Sequence, residues 1–195
     1  MVRIGITGGI GSGKSYVSRL LQERGVPVYD TDSEAKRLMQ ADADIRQGLT
    51  GLLGETAYQA DGTLNKPLVA GYLFAGPRHA ARINAIVHPR VKADFLRWVA
   101  KKADCAFVAL ESAILFESGF EDIVDVVVTV YAPQELRICR AIERDGTTEE
   151  KIRRRMAAQM DDEMKCRLSD YVIRNDGIEP LAPQLDDLLK TLEKS

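Results

Sequence analysis

Eight residues near the start of the chain carry the clearest chemistry: Gly8-Gly9-Ile10-Gly11-Ser12-Gly13-Lys14-Ser15. They satisfy the phosphate-loop template G-x-x-x-x-G-K-[ST] at every fixed position. The segment before them, Arg3-Ile4-Gly5-Ile6-Thr7, reads as a short buried strand. The segment after them, Tyr16-Val17-Ser18-Arg19-Leu20-Leu21, reads as the opening of a helix. A strand that turns through glycines into a helix aims several backbone N–H groups at one point, where the positive end of the helix dipole adds to them. That arrangement cradles a nucleoside triphosphate. Lys14 then reaches the β and γ phosphates, and the Ser15 hydroxyl ligates Mg²⁺.

Two further groups of residues suit such a site. Asp30 and Asp32 follow the apolar run Val26-Pro27-Val28-Tyr29, and Glu111 ends the run Ala106-Phe107-Val108-Ala109-Leu110. In an open parallel sheet the carboxyl ends of strands face the binding crevice. A carboxylate there can hold Mg²⁺ or its waters, or orient an attacking hydroxyl. A helix cap is the other role open to Asp30 and Asp32. The stretch Arg137 to Arg167 carries nine basic residues: Arg137, Arg140, Arg144, Lys151, Arg153, Arg154, Arg155, Lys165 and Arg167. Arg137, Arg140 and Arg144 have the spacing of one helix face. Guanidinium groups suit bidentate capture of phosphate oxygens. Several of Lys151, Arg153, Arg154 and Arg155 read instead as a solvated face paired with Glu143, Glu149, Glu150, Asp161 and Glu163. Arg140 is the first choice for a functional arginine. His88-Pro89 reads as the start of a helix running through Phe95 and Trp98.

The elements that must position these groups alternate. Apolar runs without strict alternation also occupy Val124 to Val130 and Tyr171-Val172-Ile173, as expected of strands buried on both faces of a parallel sheet. Helical patterns lie between them, which predicts an α/β doubly wound assembly. Residues 31–102 hold helical periodicity and no good strand run, punctuated by Gly48, Gly51, Gly54, Gly62, Gly71, Gly76, Pro67, Pro77 and Pro89. They read as a helical insertion. Pro133 and the capping box Thr147-Thr148-Glu149-Glu150 open the two helices of a late hairpin.

The chain has 195 residues, 45% of them hydrophobic and 29% charged, with a net charge of −2. That near-neutral balance offers no global case for binding nucleic acid or an anionic membrane. No apolar run reaches the ~18 residues of a membrane span, and the N-terminus has no signal-peptide layout. Cys105, Cys139 and Cys166 show no C-x-x-C spacing and read as reduced thiols of a cytoplasmic protein. With His79 and His88 as the only histidines, a zinc site has almost no ligands.

A GTPase switch would need a D-x-x-G element, which is absent. Asn65-Lys66-Pro67-Leu68 starts like a guanine reader but ends in Leu where the base-reading Asp belongs. A compact P-loop phosphotransferase fits better, acting on a nucleotide or another small metabolite.

The chain resembles the dephospho-CoA kinases nearly end to end. Ile4 to Ser15 is very like their opening, and Val28-Tyr29-Asp30-Thr31-Asp32 looks like their D-x-D element. Asp61-Gly62-Thr63-Leu64 with Leu73-Phe74, Ile86-Val87-His88-Pro89, Leu115-Phe116-Glu117, Arg140 with Arg144-Asp145, Ala157-Ala158-Gln159, Arg167, and Val172 to Gly177 follow in the family's order. Tyr16 stands where the family often has Thr, Ala113 where Pro is expected, Glu111 where Asp is common, and Lys66 where Arg is usual. The resemblance implies a P-loop NTPase-type three-layer fold. It combines a five-stranded parallel sheet (1–30, 103–136 and 168–195), a helical acceptor-binding domain (31–102) and a helical lid (137–167). It implies transfer from ATP to the ribose 3′-hydroxyl of dephospho-CoA, the last step of coenzyme A biosynthesis. ATP would be held by Gly11, Ser12, Gly13, Lys14, Ser15, Tyr16, Arg140, Asn175 and Gly177. Mg²⁺ would be held by Ser15 and Glu111, and the acceptor by Asp32, His88 and Lys66. Asp32, Lys14 and Arg140 would carry the catalysis. A monomer or weak homo-oligomer is expected.

Overall fold

A computed structural model describes residues 1–194. They form two compact units: Met1–Asp30 together with the chain from Lys101 onward, and Thr31–Ala100. Along the chain run β1 (Val2–Thr7), α1 (Lys14–Glu23) and β2 (Val28–Asp30). The helices α2 (Thr31–Ala41), α3 (Ala43–Leu53), α4 (Lys66–Leu73) and α5 (Pro77–Ala100) follow. Then come β3 (Phe107–Glu111), β4 (Val126–Tyr131), α6 (Gln134–Asp145), α7 (Glu149–Met156), α8 (Asp162–Leu168), β5 (Tyr171–Arg174) and α9 (Leu181–Leu192).

In the first unit the five strands form one parallel sheet in the order β2-β3-β1-β4-β5. β1 lies at its centre, which is why Ile4 to Thr7 are all buried rather than alternating. Ile4 and Ile6 pack with Val17 and Leu21 of α1 and with Leu185 and Leu188 of α9. A side chain at Gly5 would instead meet Leu115 and Val124, so the other face of β1 is covered as well. The register sets Ile6 opposite Glu111, and Glu111 opposite Asp30. The ends of β1, β2 and β3 therefore reach one edge of the sheet together. Two strands are shorter than the apolar runs suggested. Pro27 lacks an amide, and its carbonyl accepts from Ala109 just before β2 begins. Asp125 is engaged by the Arg3 amide and guanidinium just before β4 begins.

The second unit is helical, apart from one isolated bridge between Tyr58 and Leu64. Helix α5 packs against α2, α3 and α4. It corrects one expectation. Pro89 does not start a helix; the helix starts at Pro77 and runs through Pro89. An interior proline costs about 3 kcal/mol through the lost amide and the ring clash. Ile83, Val87, Val91 and Phe95, spaced four apart across that point, are all buried. Each contributes about 1.5–3 kcal/mol, so packing outweighs the proline. Pro89 itself is exposed. No helix among the described residues is long and apolar enough to cross a membrane.

Candidate active site

The loop Gly8–Gly13 joins β1 to α1 and takes a path that only glycine allows. Gly11 has φ 77° and Gly13 φ 96°, a region that costs an L side chain energy. A Cβ on Gly11 would also collide with the Arg137 carbonyl oxygen, and one on Gly13 with the Asn175 side-chain amide. Among the described residues the Gly11 and Gly13 amides donate to no backbone carbonyl outside the helices and strands. The first turn of α1 follows with its own amides, of which that of Tyr16 donates to the Gly13 carbonyl at 3.0 Å. Ser12 is fully buried, and its Oγ lacks a hydrogen-bond partner, as does Thr7 Oγ1. A buried polar atom in that state is costly unless a ligand or water completes it. Lys14 Nζ donates to the Gly9 carbonyl at 3.3 Å, so the ammonium lies over the loop. The loop therefore has the geometry of an anion cradle, and a triphosphate tail fits it.

Ser15 Oγ donates to Glu111 Oε1 at 2.8 Å. The helix start and the β3 end thus present two hard oxygens side by side. Asp30 reaches the same sheet edge through its register with Glu111. Among the described residues no group of three or more His, Cys, Asp or Glu side chains could hold a metal ion. Mg²⁺ does not require one, because it commonly takes one or two protein oxygens and completes its shell with water and substrate phosphates. The Ser15–Glu111 pair fits that demand.

The late arginines lie in three different environments. Arg140 is half-buried and donates to the Asn175 carbonyl at 2.9 Å, and Asn175 Nδ2 donates to the Ser12 carbonyl at 2.8 Å. Arg140 is thereby linked to the loop through one residue. Gly177 follows in the left-handed region at φ 85°. Arg144, Arg153, Arg154, Arg155 and Arg167 make exposed pairs with Asp145, Glu149, Glu135, Glu150 and Glu163. Such pairs are worth about 0–1 kcal/mol. They form the solvated face expected for part of this stretch. Arg144 and Arg155 together hold the Asp145 carboxyl down to about 2. Tyr16 is exposed at the start of α1, with the Arg19 guanidinium 5.7 Å from its ring centre.

The remaining candidates belong to the second unit. Asp32 is exposed in the first turn of α2, where a carboxylate is favoured by the helix dipole. Lys66 opens α4 behind Asn65, whose side chain caps it by accepting from the Leu68 amide. His88 sits in mid-helix in α5 and is half-buried. Burial, and then the Lys92 charge, hold its imidazole below the ordinary range.

The sequence profile of the dephospho-CoA kinases matches residues 2–180. The dephospho-CoA kinase of Bacteroides fragilis strain YCH46 is 51% identical over 191 residues, covering 98% of this chain and 93% of the relative. The chain belongs to the dephospho-CoA kinase family. The solved structure of Thermus thermophilus TT1252 is 34% identical with a TM-score of 0.84, covering 98% of this chain and 97% of that one. The dephospho-CoA kinase of Campylobacter jejuni, 21% identical, shares the fold with a TM-score of 0.66 over 98% of this chain and 96% of its own. The expected α/β fold with five parallel strands is the fold of this family member.

Arg137 shares the helix-face spacing of Arg140 and Arg144, yet it is 4% exposed and turned onto the loop, donating from Nε to the Ile10 carbonyl at 2.9 Å. Desolvation lowers its pKa. A signal was available: Arg137 lies four residues before Ala141 and next to Ile138, on the apolar face of α6. Helix α6 of this family member thus carries a solvated arginine, a linking arginine and a buried one.

Proposed function

We propose that this chain transfers the γ-phosphoryl group of ATP to the ribose 3′-hydroxyl of dephospho-CoA, giving CoA and ADP. The observation that carries the phosphoryl-transfer reading is the glycine loop. It holds an orphaned buried Ser12 hydroxyl, Lys14 above it and the Ser15–Glu111 pair at its mouth. The acceptor assignment is supported by membership of the dephospho-CoA kinase family.

In this reading the amides from Gly11 to Tyr16 orient the phosphates and Lys14 binds the β and γ oxygens. Ser15 and Glu111 would hold Mg²⁺, which would neutralise charge on the phosphate oxygens. Asp32 accepts the proton of the 3′-hydroxyl as its oxygen bonds to the γ phosphorus. The bond from that phosphorus to the β-γ bridging oxygen breaks, and ADP leaves. Arg140 offsets charge on the transferring group from its place beside Asn175. Asn175 and Gly177 border the adenine, while Lys66 and His88 contact the acceptor. The protein supplies alignment and electrostatics and no covalent step of its own. Residues 31–102 act as the acceptor domain and 137–167 as a lid that excludes water, because a wet site would hydrolyse ATP. The three free thiols suit a reducing compartment, which supports the proposal of a cytoplasmic enzyme acting as a monomer or weak homo-oligomer.

The test is ADP release with dephospho-CoA, AMP, adenosine and shikimate offered separately as acceptors. Dephospho-CoA is expected to give the highest kcat/KM by at least about 10². Equal or better turnover of another acceptor would overturn the assignment.

A further inference from the structure

The phosphate-loop template fixes Gly8, Gly13, Lys14 and Ser15 and leaves the four positions between Gly8 and Gly13 open. Two of those open positions, Gly9 and Ile10, are nonetheless held tightly here. Ile10 has both backbone groups taken by side chains from far along the chain. Its amide donates to Gln159 Oε1 at 3.1 Å, and its carbonyl accepts from Arg137 Nε at 2.9 Å. Its side chain packs against Ile138, Ala141 and Ile152, the small core between α6 and α7. Gly9 shows why the contact can be so close. Its backbone is not in the left-handed region, so conformation does not demand glycine. A Cβ there would collide with the Arg137 guanidinium and the Asp162 carboxylate. The missing side chain makes room for that ion pair on the loop's surface.

The turn that provides Gln159 and Asp162 is itself anchored on its far side. The Met160 amide donates to Glu117 Oε1 at 2.7 Å. Glu117 also pairs with Lys165 at 3.3 Å, and Lys165 Nζ donates to the Ala113 carbonyl at 2.7 Å from a fully buried position. Residues 113–117 follow directly on the β3 end that carries Glu111.

We propose that the turn Gln159–Asp162 sets the tip of the phosphate loop, with Gln159 and Arg137 as positioning residues that fix Ile10 and thereby the aim of the amides that follow it. This rests on the reading of the loop as the ATP cradle.

The test uses the whole chain with Gln159→Met, which keeps the length of a half-exposed side chain and removes the acceptor. A second variant, Asp162→Asn, loosens Arg137 without changing shape. The readouts are the Kd of ATP by titration calorimetry, the KM of dephospho-CoA and the thermal midpoint. Gln159→Met is expected to weaken ATP by about tenfold, since a half-buried amide loses its partner. The acceptor KM is expected to stay within about twofold, with little change in midpoint. Asp162→Asn is expected to give the same signature at smaller size. ATP affinity unchanged within about twofold in both variants would overturn the proposal. So would ATP and acceptor constants that worsen together with a lowered midpoint, the mark of a merely structural role. Failure of the unsubstituted chain to bind ATP would overturn the reading of the loop itself, and the positioning role with it.

Discussion

In the first unit the candidate groups are mostly main-chain amides and short side chains, locked by glycine geometry and by neighbours on adjacent strands. Ser15 is hydrogen-bonded to Glu111, and Asn175 to the Ser12 carbonyl, while the buried Ser12 hydroxyl is left unpartnered. In the second unit they are single side chains on helices: Asp32 in a first turn, Lys66 at a helix start and His88 in mid-helix. The difference has a physical cause. An amide's direction is set by φ and ψ, so spacing in the chain fixes where it points. A long side chain on a helix is aimed by its surroundings, and spacing alone says only which turn it occupies.

The contrast breaks most directly at Lys14. Lys14→Ala is expected to lower turnover by at least about 10³ while the thermal midpoint stays within about 2 °C, because the ammonium is partly exposed and outside the core. Retained ADP release would contradict the cradle. Asp32→Asn comes next. It is expected to lower kcat by about 10² to 10³ with the ATP KM unchanged, as removal of a proton acceptor should. A change confined to KM would leave Asp32 as a helix-start residue that merely favours the dipole. Lys66→Ala is expected to raise the dephospho-CoA KM by about tenfold and leave ATP alone, the cost of one charge-assisted contact. Equal effects on both substrates would erase the division of labour between the units.

The smallest effect concerns His88. Burial holds its pKa below the ordinary value, so the folded chain takes up that proton less readily than the unfolded one. Stability then falls as pH drops from about 6.5 toward the folded value, since the unfolded state binds the proton first. His88→Gln should flatten that part of the unfolding free energy against pH in urea titrations. An unchanged slope would mean that other groups set it.

Legibility in the sequence followed the same division. Gly8 to Ser15 could be read because the template encodes backbone geometry. Glu111 could be read because an uninterrupted apolar run has to end at the carboxyl edge of a parallel sheet. Pro89 could not be placed correctly, because local rules stop a helix at proline while the buried row from Ile83 to Phe95 carries it through. The inward turn of Arg137 was hidden for a related reason. A charged residue reads as solvated until its partners are known, and Asp162 and Ile10 lie far away along the chain. Lys165 belongs by sequence to the same basic stretch, yet its ammonium is fully buried against Ala113 and Glu117. Such groups are stable inside only when long-range contacts satisfy them, and those contacts leave no periodic trace.

The central proposal is that the glycine loop and Lys14 hold the triphosphate of ATP, with Asp32 as the proposed proton acceptor. A crystal structure with dephospho-CoA and a non-hydrolysable ATP analogue measures this directly. The account predicts the triphosphate in the glycine loop with Lys14 Nζ on its β and γ oxygens, and the ribose 3′-hydroxyl within hydrogen-bond reach of Asp32. A triphosphate bound elsewhere, or a 3′-hydroxyl contacting a different base with Asp32 in solvent, would contradict it.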